Sequence, residues 1–451
     1  MINLSGEQIL THLKQRCQDH WLIGYDNEQL YHLTQTYYQE IQTKQPANIF
    51  LIEENPIQFI PIFLAASAAN CPIFLCNPDW QQTEWEQILN IVQPDLIPSI
   101  NQPKPIPIHP RSSAFICGQK FPKTIMIPTG GSSGKIRFTI HTWETLTASV
   151  RGFYQYFTVP EINSFCILPL YHVSGLMQIL RSFLTGGKCK ILSYHSLKQQ
   201  INKLSITEIN PKDYFISLVP TQLQFLLQNN PQWLSQFSTV LTGGAPAWPS
   251  LLQQARQDKI RLAPTYGMTE TASQVVTLKP EDFLQGNNSS GQVLPHAKIT
   301  LSEGKRGAIT IGSDSLFLGY YPNKLPMNQV FETDDIGEFD SQNYLSILGR
   351  NSQKIITGGE KVYPSEIEAA ILETQLVQDV AVFGLADSHW GEMVTAIYVA
   401  NDPEISLEII KNSLKTKISP YKIPKKWIAV KGLPRNSQGK INYQQLPSLI
   451  N

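Results

Sequence analysis

The sequence predicts an α/β fold in which helices cover mostly parallel β-sheets, and two observations lead to this prediction. Over roughly the first 300 residues, short apolar runs alternate with amphipathic stretches. Several runs end directly at Gly, Pro or Asn, as buried strands do when they lead into loops at one edge of a sheet. The loops at that edge are where α/β sheets place their binding sites. The runs are residues 48–52, 72–76, 124–128, 165–170, 215–220 and 239–244.

Beyond about residue 300 the pattern changes to shorter, antiparallel units. Residues 308–313 indicate a hairpin strand, and residues 337–350 indicate a strand, a turn and a second strand. The tail that follows contains a helix beginning at Pro364, two strands, a second helix and a last strand, which is enough for an α+β domain. The predicted layout is an N-terminal domain over 1–348, a hinge at 349–354 and a C-terminal domain over 355–451.

Composition narrows the functional class. Lys plus Arg and Asp plus Glu both total 36, so the formal net charge is zero, and no basic or acidic run is present. Neither nucleic acid nor an anionic membrane is therefore expected as the main partner. The six cysteines include no CxxC pair. Their spacing argues against a zinc site or a disulfide framework and favours buried, reduced thiols in a reducing compartment.

One uncharged stretch, residues 57–76, has the length of a membrane span. Gln58, Pro61, Asn70 and Pro72 interrupt it, and no basic flank follows. We therefore expect a buried helix that leads into a buried strand rather than a transmembrane segment. The amino-terminal residues contain acids and amides and no apolar core, so they do not resemble a secretory signal. The expected location is the cytoplasm.

A run of Gly and Ser after the strand at 124–128 predicts a phosphate-binding loop. Backbone N–H groups and hydroxyls in such a run can wrap a polyphosphate. The spacing differs from the Walker loop. Three residues rather than four lie between Gly130 and the Gly134-Lys135 pair, and a strand rather than a helix begins at Ile136. A flexible glycine turn is the alternative for this run alone. Its members are Thr129, Gly130, Gly131, Ser132, Ser133, Gly134 and Lys135.

Four further motifs carry groups that suit a nucleotide. The segment 266–270 combines an aromatic ring, a hydroxyl and a carboxylate, which suit a base, a phosphate and Mg²⁺. Asp335 lies beside a Gly turn and suits ribose hydroxyls. Arg350 is followed by the Gly358-Gly359 turn, and Lys440 follows Gly439 near the C-terminus. Taken singly, two of these motifs have a non-functional alternative: the 266–270 segment can be a turn with a surface Glu, and Lys440 can be a solvated loop lysine.

In this order and spacing, the five motifs resemble the adenylate-forming superfamily of acyl-CoA ligases, aryl-acid ligases, peptide-synthetase adenylation domains and luciferases. The resemblance runs from about Phe50 to Leu446. It implies a large N-terminal domain of helix-covered sheets plus a small barrel, and a mobile, smaller C-terminal domain. It also implies an enzyme that activates a carboxylic acid with ATP and transfers the acyl group to a thiol. ATP, Mg²⁺ and coenzyme A are the expected cofactor and cosubstrates.

The resemblance assigns roles residue by residue. It implies catalytic roles for Lys440, Thr269 and Glu270, with Glu270 as the Mg²⁺ ligand, and a coenzyme A tunnel at Gly358 and Gly359. It assigns ATP binding to the 129–135 loop and to Gly244, Tyr266, Gly267, Asp335 and Arg350.

Three positions depart from the superfamily pattern. Either Lys135 or Arg137 can supply the positive charge of the phosphate loop, and this choice stays open. Asp334 stands where Gly is usual, and Ser352 stands where the hinge usually has an acid or a lysine. The pivot of the C-terminal domain is therefore less well defined by the resemblance than the nucleotide site.

A narrower resemblance points to the o-succinylbenzoate–CoA ligase branch, which serves menaquinone and phylloquinone synthesis. It rests on residues 169–175, 269–273, 358–364 and 439–442. The implied acid has an aromatic ring, a keto-acid arm that is activated and a second carboxylate that stays unreacted. Candidates to line its pocket are His172, Ser174, Thr271 and the backbone at Gly243 and Gly244.

Several alternatives remain open from the sequence alone. His172 has an equal claim to be a packing residue beneath the adenylate. The acid can be another aryl or fatty acid, or the chain can be an adenylation domain that loads a carrier protein. A nucleotide-binding regulator without activity is the alternative outside catalysis. The expected partners are small molecules, and homo-oligomer formation is left open.

Overall fold

The computed structural model describes residues 4, 6–98, 121–130, 135–201, 209–325, 330–387, 389–402, 404–435 and 441–450. The helices in chain order are α1 (Glu7–Gln18), α2 (Asn27–Lys44), α3 (Pro56–Ala68), α4 (Gln82–Ile91), α5 (Trp143–Phe157), α6 (Val173–Thr185), α7 (Tyr194–Gln200), α8 (Pro220–Asn229), α9 (Pro231–Leu234), α10 (Pro249–Gln257), α11 (Pro280–Leu284), α12 (Pro364–Glu373) and α13 (Leu407–Leu414).

The strands fall into four sheets. In chain order they are β1 (Leu22–Ile23), β2 (Ile49–Leu51), β3 (Ile73–Leu75), β4 (Thr124–Gly130), β5 (Ile136–Thr142), β6 (Asn163–Cys166), β7 (Cys189–Ile191), β8 (Tyr214–Leu218), β9 (Thr239–Thr242), β10 (Leu262–Met268), β11 (Ser273–Thr277), β12 (Gln292–Val293), β13 (Ala297–Glu303), β14 (Arg306–Ser313), β15 (Phe331–Phe339), β16 (Leu345–Arg350), β17 (Ile355–Thr357), β18 (Glu360–Val362), β19 (Val377–Asp387), β20 (Gly391–Ala400) and β21 (Lys426–Ala429).

The first two sheets confirm the predicted mostly parallel, helix-covered architecture. The larger has the order β1-β7-β6-β8-β9-β10-β11-β12, and its neighbours are parallel from β1 to β10. The smaller has the order β2-β3-β4-β5, with only β5 antiparallel to its neighbour. All six apolar runs of the sequence overlap one of these strands, because a strand buried on both faces is apolar throughout.

The other two sheets match the change of pattern beyond residue 300. Strands β13 to β16 pair antiparallel in chain order, and this four-stranded sheet occupies the place of the implied small barrel. The last sheet has the order β18-β17-β20-β19, with β21 beside β20. It encloses its own apolar core, which includes Val362, Ile367, Val380 and Ile410. The division of the chain at 349–354 into moving domains stays a prediction.

Helix α3 explains the uncharged stretch of the sequence. The Asn55 side chain accepts from the Ile57 N–H at 3.2 Å, and Pro56 occupies the first turn, where its missing N–H costs nothing. The helix has 13 residues, against the roughly 20 that a bilayer requires. It leads into β3, as expected. Among the described residues, no helix combines the length and apolar character needed to cross a membrane.

A glycine sets the geometry where β10 turns back into β11. The register between the two strands shifts between Tyr266 and Gly267. A Cβ at Gly267 would lie 2.2 Å from the Ser273 carbonyl oxygen, so only glycine permits this approach. The turn from β10 to β11 therefore places residues 268–272 at the carboxyl edge of the large sheet, the edge at which α/β proteins bind ligands.

Candidate active site

The predicted phosphate-binding loop joins the antiparallel strands β4 and β5. Thr129 lies opposite Arg137, and Gly130 lies opposite Ile136, so the loop begins and ends at one point of the sheet. Gly130 and Lys135 are exposed. Gly131, Ser132, Ser133 and Gly134 lie outside the described residues. Phosphate binding by this loop stays a prediction.

Three side chains connect this hairpin to the predicted Mg²⁺ ligand, Glu270. The guanidinium of Arg137 lies over the Tyr320 ring, 4.1 Å from its centroid. The Tyr320 hydroxyl donates a hydrogen bond to Glu270 Oε1 at 2.6 Å. Burial, and then the charge of Glu270, raise the pKa of Tyr320, so the phenol keeps its proton and remains a donor. Of the two cations that the sequence left open, Arg137 is the one connected to Glu270 in this way.

The surroundings of Glu270 fit Mg²⁺ that arrives with ATP. Glu270 is buried, and its backbone carbonyl accepts from the Phe317 N–H at 2.8 Å. Within the described part of the chain, no group of three or more His, Cys, Asp and Glu side chains could hold a metal ion. Mg²⁺ needs no such group, because it binds through one or two carboxylates and completes its shell with phosphate oxygens and water.

The turn that carries Thr269 and Glu270 is held in place through its main chain. The four carbonyl groups of residues 269–272 each accept a hydrogen bond from a different residue. Ala272 and Ser273 have φ angles of 50° and 102°, which non-glycine residues adopt only where the surroundings impose them. The donors, in carbonyl order, are His141 Nε2 (2.8 Å), the Phe317 N–H (2.8 Å), Ser315 Oγ (2.8 Å) and Ser149 Oγ (2.7 Å).

His141 holds its place as a neutral imidazole. Burial lowers its pKa to about 4, since the charged ring loses its water. Its Nε2 must carry a proton to donate to the Thr269 carbonyl, and its Nδ1 lies 3.1 Å from Thr145 Oγ1. The tautomer is therefore fixed by the main chain of the turn. His141 orients Thr269 without a charge of its own.

Thr271 shows how tightly the same turn is capped. Its hydroxyl accepts from the Met268 N–H at 3.0 Å and lies 2.6 Å from the Ser273 carbonyl, to which it donates. The side chain is fully buried. The structure thus gives this hydroxyl a main-chain role that the sequence interpretation did not foresee. The expected contact of Thr271 with the acid stays a prediction.

The two predicted ribose-binding residues, Asp335 and Arg350, meet the predicted ATP-binding residue Tyr266; Asp335 and Tyr266 are buried, and Arg350 is exposed. Asp335 on β15 lies opposite Arg350 on β16, and Arg350 Nε donates to Asp335 Oδ1 at 3.2 Å. The Tyr266 hydroxyl donates to Asp335 Oδ2 at 2.8 Å. Burial, followed by the Asp335 charge, raises the pKa of Tyr266 and keeps it a donor. Tyr266 and Arg350, which lie 69 and 15 positions from Asp335 in the sequence, therefore both donate to the Asp335 carboxylate.

The glycines that end β9 lie beside this region. A Cβ at Gly243 would come within 2.3 Å of Thr265 Oγ1, so the close packing of β9 on β10 requires glycine there. Gly244 has a φ of 81°, in the left-handed region that favours glycine. Both features leave main-chain groups at the sheet edge uncovered by side chains. Their contacts with ATP and the acid stay predictions.

Helix α6 begins at the predicted acid-binding residues. His172 precedes its first residue, and the His172 ring packs on Tyr171 with centroids 4.6 Å apart. Ser174, in the first turn, is exposed. A Cβ at Gly175 would lie 2.2 Å from the Pro169 carbonyl oxygen, which explains the glycine of this motif. The packing of His172 leaves both of its expected roles open.

The same helix carries a buried arginine that the sequence interpretation missed. Ser174, Gln178 and Arg181 are spaced at i, i+4 and i+7 and share one face of α6. Arg181 is 3% exposed, and its terminal nitrogen donates to Gln274 Oε1 at 2.8 Å and to Ser273 Oγ at 3.1 Å. Burial lowers the pKa of Arg181 to about 9. A single arginine within the apolar sequence of residues 173–185 was the available signal.

Several polar atoms around Arg181 have no hydrogen-bond partner among the described residues. They include Arg181 Nε, Gln178 Oε1 and Gln274 Nε2. No carboxylate pairs with Arg181 in the described part of the chain. Buried polar atoms are nearly always satisfied in folded proteins, and a buried cation without an anion is costly. The guanidinium lies over the Phe153 ring, 4.1 Å from its centroid, and the unsatisfied atoms beside it make the cluster a candidate site for an anionic ligand.

Gly358 and Gly359 form the turn between β17 and β18. Their φ angles of 57° and 84° lie in the left-handed region. The Gly358 N–H donates to the Trp390 carbonyl at 2.9 Å, and a Cβ at Gly358 would touch the Trp390 ring at 3.4 Å. The Lys425 ammonium lies 4.2 Å from the centroid of that ring. An aromatic face and a cation thus lie beside the predicted coenzyme A tunnel.

Lys440, the predicted catalytic lysine, lies outside the described residues. The described chain on either side is paired with itself, because Arg435 and Ile441 form an antiparallel bridge and the Asn442 N–H donates to the Pro434 carbonyl at 2.9 Å. Lys440 is bonded directly to Ile441. The catalytic role of Lys440 stays a prediction.

Comparison with protein families gives two matches that together span most of both regions. Residues 123–321 match the model of the AMP-binding enzyme family. Residues 366–440 match the model of the AMP-binding enzyme C-terminal domain. The first match includes the β4–β5 hairpin and the 266–272 turn. The second includes helix α12 from its third residue onward and ends at Lys440.

Individual proteins extend these matches. A 2-succinylbenzoate–CoA ligase of Listeria monocytogenes is 35% identical over 329 residues, which cover 70% of this chain and 68% of that protein. A 2-succinylbenzoate–CoA ligase of Staphylococcus epidermidis is 26% identical over 445 residues, which cover 93% and 92% of the two chains.

Solved structures share the fold. The o-succinylbenzoate CoA synthetase of Bacillus subtilis, in complex with the acyl-adenylate intermediate OSB-AMP, superposes with a TM-score of 0.81 at 23% identity, covering 96% of this chain and 97% of that one. ATP-bound MatB from Rhodopseudomonas palustris superposes with a TM-score of 0.80 at 20% identity, covering 99% of each chain.

Proposed function

The chain belongs to the family of AMP-binding, adenylate-forming enzymes, and from that premise we propose that it joins 2-succinylbenzoate to coenzyme A. The reaction converts ATP, 2-succinylbenzoate and coenzyme A to 2-succinylbenzoyl-CoA, AMP and diphosphate, a step of menaquinone or phylloquinone synthesis. One observation carries the proposal: side chains from residues 141, 320, 335 and 350 meet around the 266–272 segment. The 2-succinylbenzoate–CoA ligases among the relatives support the choice of acid.

In the first half-reaction the succinyl carboxylate attacks the α-phosphorus of ATP, and the bond to diphosphate breaks. Tyr266 stacks on adenine, and the Asp335–Arg350 pair holds the ribose hydroxyls. Thr269 contacts the α-phosphate from a turn whose carbonyls are already occupied, so its position costs no reorganisation during reaction. Glu270 would hold Mg²⁺, which when bound would supply positive charge to the phosphate oxygens.

Two cations complete the first half-reaction. Arg137 is assigned the positive charge of the phosphate loop, because its guanidinium lies on Tyr320 next to Glu270. Lys440 is assigned the catalytic role of bridging the carboxylate and the α-phosphate oxygens. A fixed cation at the point where charge develops lowers the barrier far more than the same charge in water.

The acid pocket lies between α6 and β11, and Arg181 is its anchor. The activated carboxylate faces the 269–272 turn, and the second carboxylate pairs with Arg181. Ser174 and Arg181 are roughly 10 Å apart along the helix, a distance that a two-carboxylate aromatic acid can span. A carboxylate ligand supplies the negatively charged partner that Arg181 lacks among the described residues. A fatty acid leaves that arginine unpaired, which disfavours the alternative of a fatty-acid ligase.

In the second half-reaction the thiol of coenzyme A attacks the acyl carbon, and AMP leaves. The C-terminal domain pivots at 349–354 and presents Gly358 and Gly359, where no side chain obstructs the pantetheine arm. Trp390 and Lys425 lie next to this turn and suit the adenine ring and a phosphate of coenzyme A. The mobile domain thus presents Lys440 in the first half-reaction and the Gly358-Gly359 turn in the second.

Cytoplasmic location and assembly belong to the proposal. The five cysteines among the described residues are free, and burial raises the pKa of Cys76, Cys166 and Cys189, so these thiols stay protonated and unreactive. Such thiols suit the reducing cytoplasm, where the small-molecule substrates are found. A homo-oligomer is compatible with this function but not required by the site.

The proposal is tested by measuring AMP release with a panel of acids in the presence of ATP, Mg²⁺ and coenzyme A. We expect 2-succinylbenzoate to exceed benzoate and medium-chain fatty acids in kcat/KM on the order of 10³ or more, because acids without the second carboxylate leave buried polar groups unpaired. Equal use of a fatty acid would contradict the choice of acid and leave the adenylate-forming activity intact. Absence of AMP release with every acid would favour the inactive regulator.

A further inference from the structure

One short segment, residues 317–321, holds both the main chain and the side chain of Glu270. The Phe317 N–H donates to the Glu270 carbonyl oxygen at 2.8 Å, and the Tyr320 hydroxyl donates to Glu270 Oε1 at 2.6 Å. The rings of Phe317 and Tyr320 also pack on each other, with centroids 4.9 Å apart. Two hydrogen bonds from one segment therefore set the direction in which the Glu270 carboxylate points.

The same segment is attached to β5, the strand that carries Arg137. The Leu318 N–H donates to the Ile140 carbonyl at 2.7 Å, and the Ile140 N–H donates to the Gly319 carbonyl at 2.9 Å. The Arg137 guanidinium lies over the Tyr320 ring. The phenol is thus presented to Glu270 from a sheet rather than from a loop, which is the support that a precise ligand geometry needs.

The two oxygens of the Glu270 carboxylate are in different situations. Oε1 accepts from the Tyr320 hydroxyl, whereas Oε2 makes no hydrogen bond to any residue that the structure describes. Because Glu270 is the predicted Mg²⁺ ligand, Oε2 is the oxygen that remains for the ion. An ion held by both oxygens would have to share Oε1 with the phenol. The arrangement therefore favours binding through one oxygen.

Binding through one carboxylate oxygen suits Mg²⁺ better than Ca²⁺. Mg²⁺ requires near-ideal octahedral geometry and combines one or two carboxylates with phosphate oxygens and water. Ca²⁺ accepts about six to eight oxygens in flexible geometry and often takes both oxygens of one carboxylate. Partners that orient a metal ligand typically change metal affinity about 10–100-fold. A phenol that occupies Oε1 can therefore discriminate between the two ions.

We infer that Tyr320 is a positioning residue that makes Glu270 a one-oxygen ligand and thereby favours Mg²⁺ over Ca²⁺ at the nucleotide site. The inference rests on the proposed function, since it takes Glu270 as the ligand of the Mg²⁺ that accompanies ATP. The role requires no contact of Tyr320 with ATP or with the ion. Tyr320 acts through the Glu270 carboxylate that its hydroxyl holds.

The test measures binding of a nucleotide to the full chain by isothermal titration calorimetry, without an acid and without turnover. The probe is α,β-methylene-ATP, in which the bridge between the α- and β-phosphorus atoms cannot be cleaved. It is titrated with saturating Mg²⁺, with saturating Ca²⁺ and with a chelator. The gain from each ion is the Kd in chelator divided by the Kd with that ion.

Tyr320→Phe removes the hydroxyl and keeps the ring, and Tyr321→Phe is the matched control. The control makes the same chemical change one position along the chain. The Tyr321 ring packs on Phe74 and Phe121, with centroids 5.1 and 5.2 Å apart, and its hydroxyl makes no hydrogen bond within the described chain. Thermal unfolding confirms that each variant is folded.

We expect Tyr320→Phe to reduce the Mg²⁺ gain by about tenfold and the Ca²⁺ gain by clearly less, so that the ratio of the two gains falls. The Kd in chelator should equal that of the parent, because the hydroxyl acts only on the metal ligand. A merely structural role would weaken metal-free binding as well. Tyr321→Phe should keep all three Kd values of the parent.

A double-mutant cycle with Glu270→Gln shows whether Tyr320 acts through this carboxylate. Glu270→Gln removes the proposed ligand and should abolish most of the Mg²⁺ gain. In that background Tyr320→Phe should cause no further loss, since residues that act through one another are not additive. Independent, additive losses would mean that the hydroxyl acts by another route.

Three results would overturn the inference: an unchanged ratio of Mg²⁺ gain to Ca²⁺ gain in Tyr320→Phe, an equal loss of metal-free binding, or additive losses in the cycle. Failure of the proposed function gives a different result. If the parent gains nothing from Mg²⁺, or if Glu270→Gln keeps the whole gain, Glu270 is not the ligand and the inference falls with that assignment.

Discussion

Around the proposed nucleotide, the protein pairs its own polar groups, whereas around the proposed acid it leaves several of them without partners. Asp335 accepts from both Tyr266 and Arg350, and the carbonyls of residues 269–272 are all hydrogen-bonded. Between α6 and β11, by contrast, Arg181 is buried without a described acidic partner, and neighbouring amide atoms are unsatisfied.

The two regions differ in whether their polar groups need a ligand to complete their hydrogen bonds. A paired region is rigid before binding and contributes to the stability of the fold. An unpaired region costs stability and gains affinity only when the complementary ligand arrives. The account therefore predicts different links between stability and activity: changes to the paired groups around Asp335 lower both, and changes to the unpaired groups around Arg181 lower activity alone.

The largest effect is expected at Arg181. Arg181→Met keeps a similar volume and removes the buried charge, so we expect kcat/KM for 2-succinylbenzoate to fall by about 10³ while the melting temperature stays equal or rises. Steady-state kinetics and thermal unfolding measure the two quantities. Arg151→Met, at an exposed arginine of α5, is the matched control. A parallel loss of stability and activity at Arg181 would remove the contrast between the regions.

Lys440→Ala is expected to lower adenylate formation by roughly 10² or more, the scale of losing one preorganised charge at a transition state. Melting temperature should change little, as at most positions away from a core. Conversion of synthetic acyl-adenylate and coenzyme A should proceed at close to the parent rate, because the lysine serves only the first half-reaction. Equal loss in both half-reactions would contradict the two-conformation mechanism.

On the nucleotide side, Asp335→Ala leaves the buried Tyr266 hydroxyl and Arg350 without their partner. We expect the KM for ATP to rise about tenfold and the free energy of unfolding to fall by about 1–3 kcal/mol, the usual cost of an unsatisfied buried group. Denaturant unfolding and initial rates provide the measurements. The neighbouring Asp334→Ala, at an exposed carboxylate that pairs with Ser352, is the control. Equal stability of the two variants would show that the trio contributes nothing to the fold.

The smallest effect is a pH-dependent shift in stability at Glu368 of α12, whose Oε1 accepts from the Val382 N–H at 2.8 Å and from the Tyr443 hydroxyl at 2.9 Å. Folding raises the pKa of this carboxyl to about 7, so the folded state binds its proton more tightly than the unfolded state, and the stability it contributes below about pH 4.5 is lost as the pH rises through 7. Glu368→Gln should therefore melt about 2–4 °C above the parent at pH 8 and close to it at pH 5. A constant difference between these pH values would rule out titration of Glu368.

The sequence was most informative where function depends on contiguous motifs. Tyr266, Glu270, Asp335 and Arg350 became candidates because each lies in a short pattern with a glycine or a strand end beside it, and the structure brings Tyr266, Asp335 and Arg350 into contact. The strands of the six apolar runs, the α3–β3 unit and the change of pattern beyond residue 300 followed from the pattern of apolar residues, whereas short strands such as β1, β7 and β12 were not predicted. The described structure adds how these pieces meet, through the register of β15 with β16 and the bulge at Gly267.

Residues that act through distant contacts were missed. His141, Tyr320 and Glu368 are recognisable only by the residues that they touch, which lie 128, 50 and 75 positions away. In the sequence, these three residues lie in strands, helices and loops with no motif around them, and only the fold brings their partners into contact. Arg181 did leave a signal, a charge in an apolar helix seven positions after Ser174, but only its burial shows that the charge has no described partner.

The central claim, that Arg181 receives the second carboxylate of the acid, is tested most directly by crossing two acids with two enzymes. The acids are 2-succinylbenzoate and 4-oxo-4-phenylbutanoate, which lacks the ring carboxylate, and the enzymes are the parent and Arg181→Met. We predict that the parent prefers 2-succinylbenzoate by about 10³ in kcat/KM and that Arg181→Met retains less than about tenfold of this preference. The same preference in both enzymes would contradict the account.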